Sequence, residues 1–94
     1  MNGKLRTLIE SDAYQKQAEK IASIKFIDEA VRILCNSIAF SPEVFSFVTG
    51  FEKIQLAKTD AYFRNGIEVT ALRLWFRQLN DDEIELLAIE SFEA

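Results

Sequence analysis

The chain has 94 residues, 49% of them apolar, with eight Phe, one Trp and a net charge of −4. That length suits a single domain over 1–94, burying roughly two thirds of its unfolded surface. The acidity, with a pI near 4.8, argues against nucleic acid and against anionic membrane surfaces, since both are met with Lys and Arg. With no histidine and one cysteine, the commonest general base, the usual zinc ligand sets and any internal disulfide are excluded. No run approaches the roughly 18 apolar residues of a membrane span. Neither a catalytic residue, a cofactor nor a metal is expected, and the expected compartment is the cytoplasm.

Charge is uneven along the chain. Residues 1–47 carry six basic and six acidic residues, whereas residues 48–94 carry five and nine. From Asn80 onward the charged residues are all acidic: Asp81, Asp82, Glu83, Glu85, Glu90 and Glu93.

Lys4 to Ser23 reads as one or two helices, after a few first residues expected to be mobile. Leu5, Leu8 and Ile9 form a short stripe, and Ser11-Asp12 caps a second helical segment, with Gln15 three residues after Asp12. The segment Ile24–Phe40 is the clearest helix. Ile24, Ile27, Val31, Leu34 and Ile38 repeat at 3-4-3-4 spacing. A second apolar set, Phe26, Ala30, Ile33 and Phe40, lies about 120° away at the ~100° per residue of an α-helix. An amphipathic helix needs an apolar stripe of little more than about 100°. The surplus leaves two readings: a helix buried on two sides, or one with its second side against a partner. The partner-binding candidates are Phe26, Glu29, Ala30, Ile33 and Phe40. Cys35, among Leu34 and Ile38, reads as a buried thiol acting as a small hydrophobe.

Ser41-Pro42-Glu43 starts a short helix that Gly50 ends. Phe40, Phe45, Phe47 and Phe51 gather at that corner, as core packing. Phe51–Phe63 supports a helical stripe through Ile54, Ala57 and Ala61. Asn65-Gly66 ends that helix, with a β-hairpin as the alternative. Over Ile67–Phe76 a strand reading leaves neither face clean, so a helix is preferred. Asn80 then caps a last helix to about Phe92, with Asp81, Asp82 and Glu85 favourably placed against its dipole. The expected architecture is all-α, a compact orthogonal bundle of five or six short helices. The alternative is an α+β fold with one hairpin at Asn65-Gly66.

The stretch Ile38-Ala39-Phe40-Ser41-Pro42-Glu43, with Glu29 before it, resembles the first long helix and following turn of the AsiA-type anti-sigma factors of T-even-like phages. Leu79-Asn80-Asp81-Asp82-Glu83 is similar to their later acid-led turn. The resemblance runs from Ile24 to Glu90, although Asn36 and Ser37 stand where the family has apolar contact residues. It implies an all-helical protein whose first long helix binds the promoter-recognition region of the RNA polymerase sigma subunit, or a second copy when sigma is absent. The apolar surplus and the missing catalytic residue types give the expected function, a small acidic protein-binding regulator or inhibitor, and the resemblance implies its sharpest version, an anti-sigma factor. Two alternatives stand beside it. One is an acidic nucleic-acid mimic that inhibits a host defence complex through Asp81, Asp82 and Glu85. The other is a structural subunit, a homodimer that buries its apolar surplus against itself.

Overall fold

A computed structural model describes residues 5–92, the last by its backbone. The expectation of mobile first residues falls on residues 1–4 and lies outside the described ones. Among the described residues the chain is α+β and not an all-α bundle: two helices and seven strands. In order these are β1 (Thr7–Glu10), α1 (Asp12–Ile21), α2 (Ile27–Phe40), a 3₁₀ turn (Pro42–Val44), β2 (Phe47–Val48), β3 (Phe51–Lys58), β4 (Tyr62–Arg64), β5 (Ile67–Val69), β6 (Ala71–Gln78) and β7 (Glu83–Phe92).

Five strands form one sheet in the order β1-β7-β6-β3-β2, and β4-β5 form a separate hairpin. β1 runs parallel to β7, while every other pairing is antiparallel. Both helices contribute to one apolar core against the sheet. Tyr14, Ile21, Ile27, Ala30, Leu34 and Ile38 meet Ala57, Leu72, Leu74, Phe76, Ile84, Leu86 and Ile89.

The expected helical stripe of Leu5, Leu8 and Ile9 does not form: Thr7–Glu10 pairs with β7 as strand β1, and the helices begin only at Asp12 and at Ile27, three residues after the expected Ile24. The Ser11 side chain accepts a hydrogen bond from the Tyr14 N–H at 3.1 Å, an N-cap that starts α1 at Asp12. α2 buries Ile27, Ala30, Leu34 and Ile38 at i, i+3, i+7 and i+11. Ile24 and Val31 only pack at the core's margin, so the inner face is turned toward Ala30 relative to the expected stripe.

The segments from Ser41 onward depart from expectation. Ser41-Pro42-Glu43 opens one 3₁₀ turn, and the Ser41 side chain makes no cap bond. The expected helix to Gly50 is replaced by the β2–β3 hairpin. Gly50 there has φ 87°, the conformation a type II turn reserves for glycine. Of the corner aromatics, Phe45 meets Phe76 edge-on, centroids 5.8 Å apart at 88°. Phe40, Phe47 and Phe51 are exposed and do not form the expected packed corner. At Asn65-Gly66 the alternative is the arrangement found: φ is 52° and 78° between the paired Arg64 and Ile67, the two positive values of a type I′ turn.

Asn80 caps no helix. Its Oδ1 accepts from the N–H groups of Asp82 (2.8 Å) and Glu83 (3.0 Å), and its Nδ2 donates to Glu83 Oε1 (2.9 Å). The same local bonds that cap a helix here build the turn between β6 and β7, because Asn offers them to either structure.

Gln55, 1% exposed, ties the 3₁₀ turn to the sheet. Its Nε2 donates to the carbonyls of Pro42 (2.8 Å) and Phe45 (2.9 Å), and its Oε1 accepts from Gln78 Nε2 (2.8 Å). All its polar atoms are therefore engaged, as burial demands.

Candidate protein interface

α2 separates the five partner-binding candidates into three environments. Ala30 lies in the core at 3% exposure; it faces the sheet, and not the second side expected of it. Phe26 and Glu29 are half-buried and are engaged by the β4–β5 hairpin. Glu29 accepts from the Tyr62 hydroxyl at 3.4 Å and pairs with Arg64 at 3.1 Å. The Arg64 guanidinium sits 5.3 Å from the Phe26 ring centroid, with the Lys25 ammonium 5.7 Å away. Burial and the neighbouring Glu29 carboxylate push the Tyr62 phenol above its ordinary range. Phe26 precedes α2 in the left-handed region, φ 64°, which costs a β-carbon-bearing residue ~1–2 kcal/mol. The two cations flanking its ring contribute to holding it there.

Ile33 and Phe40 are 53% and 51% exposed. They are two turns apart, so they share one stripe on the side of α2 away from the sheet. Ser37 lies between them and turns its hydroxyl back to the Ile33 carbonyl at 3.0 Å, leaving the stripe without a competing charge. Val44 (70%) and Leu5 (64%) are exposed too. Leu5 adjoins the end of α2, because the Arg6 N–H donates to the Ala39 carbonyl and its guanidinium to that of Phe40. Leu5 and Val44 are additions that helical periodicity could not supply, since neither belongs to α2.

The acidic candidates also divide. Asp81 and Asp82 are exposed in the β6–β7 turn. Glu85 is on β7 and forms an ion pair with Arg77 on β6, a cross-strand pair and not a helix-start acid. Glu90 pairs similarly with Arg73 at 3.7 Å.

These pairs lie on the sheet face opposite the helices, a surface the sequence did not reveal. Its centre is an apolar row, Leu56–Trp75–Ala88, flanked by a Lys58–Arg73–Glu90 row and by Arg77–Glu85. Each acid of these rows faces an arginine across the β6–β7 ladder, so Glu85 and Glu90 are balanced locally. Such exposed pairs contribute about 0–1 kcal/mol each.

Among the described residues no cluster of three or more His, Cys, Asp or Glu is arranged to hold a metal ion. Cys35 is half-buried, its Sγ 3.7 Å from the Tyr14 hydroxyl. Burial pushes the Cys35 thiol up, which disfavours the reactive thiolate. No described helix is long and apolar enough to cross a membrane. Comparisons with protein-family models, curated proteins and solved structures return no match for this chain.

Proposed function

We propose that this chain is a protein-binding regulator or inhibitor that takes its partner on the outer stripe of α2, and that it performs no catalysis. The observation that carries this reading is the exposure of Ile33 and Phe40 on a helix whose opposite side is fully committed to the core. Covering a large apolar side chain releases about 1.5–3 kcal/mol when complete, so two half-exposed ones make a useful anchor. Large apolar side chains gathered on a soluble surface are how partner sites are commonly built. A cytoplasmic setting suits the free thiol of Cys35.

Inhibition of a sigma subunit is one version of this reading. Its support is confined to Glu29 and Ile38–Glu43, because Leu79–Glu83 leads from one strand to the next and opens no helix. The nucleic-acid-mimic alternative is weakened by the pairing of Glu85 with Arg77 and of Glu90 with Arg73.

The test is affinity purification from bacterial lysate with the wild type beside Ile33→Asp and Phe40→Asp. Both substitutions are at exposed sites and should shift stability by no more than about 0.5 kcal/mol. The expected result is a specific partner recovered by the wild type and lost by both folded variants. An identical set of proteins from all three would remove α2 as the interface. Recovery of a polymerase or sigma subunit would select the transcriptional version.

A further inference from the structure

β1 forms one edge of the five-stranded sheet. Its odd-numbered residues turn their backbone inward: the Thr7 N–H donates to the Asp82 carbonyl at 2.8 Å, and the Ser11 N–H just beyond donates to that of Leu86 at 3.0 Å. In a parallel ladder the intervening residues point the other way. The backbone N–H and C=O of Leu8 and Glu10 therefore face out of the sheet, and no described residue bonds them. An edge left in this state is a template for another strand.

We propose that this edge pairs with the same edge of a second copy, antiparallel about a two-fold axis at Ile9. That register sets Leu8 opposite Glu10 of the other copy, each pair exchanging both of its bonds. It uses the outward groups of Leu8 and Glu10 and requires none of those already bonded to β7. Ile9, 37% exposed, meets its symmetry mate in the close, non-hydrogen-bonded position.

The charges favour a second copy in this orientation. Arg6 stands at one end of the edge, Glu10 and Asp12 at the other. An antiparallel mate brings each Arg6 diagonal to Glu10 of the other copy, within the range over which cross-strand neighbours interact, with Asp12 at the start of α1 beyond it. A parallel mate would align like with like. The surface is separate from the Ile33–Phe40 stripe, so the proposal stands or falls independently of the partner.

Sedimentation velocity of the full chain across a dilution series tests it. A monomer–dimer equilibrium is expected. Glu10→Pro deletes an N–H that the monomer does not use, and should weaken the dimer at least about tenfold while circular dichroism is unchanged. Ile33→Asp should leave dimerisation as it was. Should the proline variant fail to fold, Glu10→Arg must weaken the dimer by setting two arginines near each other. A wild type that stays monomeric throughout, a dimer indifferent to folded Glu10 variants, or one dissociated by Ile33→Asp and not by Glu10→Arg would overturn the proposal.

Discussion

The two faces of the main sheet are made from the same strands and solve opposite problems. Beneath the helices, Leu72, Leu74, Phe76, Ile84, Leu86 and Ile89 are at most 1% exposed and carry no charge. On the other face Trp75 and Leu56 are only half-buried, and Arg73, Arg77, Glu85 and Glu90 stand beside them. The covered face draws its stability from excluding water, and it tolerates polarity only where every polar atom is engaged, as at Gln55. The open face keeps its apolar row short and flanks it with charge, which antiparallel sheets exposed on one side can do.

The strongest break of this contrast is a pair of truncations at adjacent positions of β6. Phe76→Ala should cost about 3–5 kcal/mol, because it leaves a cavity in the core and removes the edge-on contact with Phe45. Trp75→Ala removes a larger side chain from the open face, yet should cost only about 1–2 kcal/mol, since part of that side chain is already in water. Urea unfolding monitored by far-ultraviolet circular dichroism gives both values. Equal losses would mean that the open face is covered by something else in solution.

Gln55→Leu comes next. It keeps the volume but leaves the Pro42 and Phe45 carbonyls and the Gln78 amide short of a partner, at about 1–3 kcal/mol. Faster amide exchange in the 3₁₀ turn and β2, with little change in α1, would locate the damage. A neutral effect would show that water reaches these carbonyls.

The contrast also explains what could be read in the sequence. The α1 cap at Ser11 and the spacing of Ile27, Leu34 and Ile38 are local signals, and the helical layer formed where they stand. The sheet's signals are interrupted. Over Ile67–Phe76 the inward side changes from odd positions (Val69) to even ones (Leu72, Leu74, Phe76) at Thr70, where β5 ends and β6 begins. A single strand laid across that break has no clean face. In β7 the pairing moves from Leu86 with Phe76 to Ala88 with Trp75, so Leu87 is an extra residue, a β-bulge. The bulge shifts the inward positions from Ile84 and Leu86 to Ile89, and Ile84, Leu87 and Ala88 then imitate helical spacing. In β3 the inward positions hold Gln55 and Ala57 while Ile54 and Leu56 face outward, inverting the usual alternation. The candidate interface was legible only as an apolar surplus. Which of its members faces outward depends on the β4–β5 hairpin, whose docking on Glu29 and Phe26 no periodicity in α2 encodes.

A covered layer that admits only neutral groups should also fail when one of them is forced to ionise. Tyr14, 2% exposed, and Cys35 lie in that layer. Burial pushes the Tyr14 phenol far up from its ordinary 10.0, and the thiol up from 9.0. The nearby Glu10 carboxylate acts in the same direction on both, although the hydrogen bond with Tyr14 partly offsets the rise at Cys35. Because both folded values lie above the unfolded ones, the unfolded chain releases these protons first as pH rises. The stability they contribute is complete below pH 9 and lost progressively above it, first through the thiol and then, above pH 10, through the phenol. The urea midpoint should therefore fall from about pH 9 upward. Cys35→Ala should flatten the first part of the fall and Tyr14→Phe the second, each compared with its own midpoint at pH 7. Glu85 lies on the open face and contacts neither Tyr14 nor Cys35, so Glu85→Gln should leave the shape of the fall as it is. A wild-type midpoint that is flat to pH 11, or a fall untouched by Tyr14→Phe, would mean that water reaches the Tyr14 hydroxyl and that the covered layer is less dry than its packing implies.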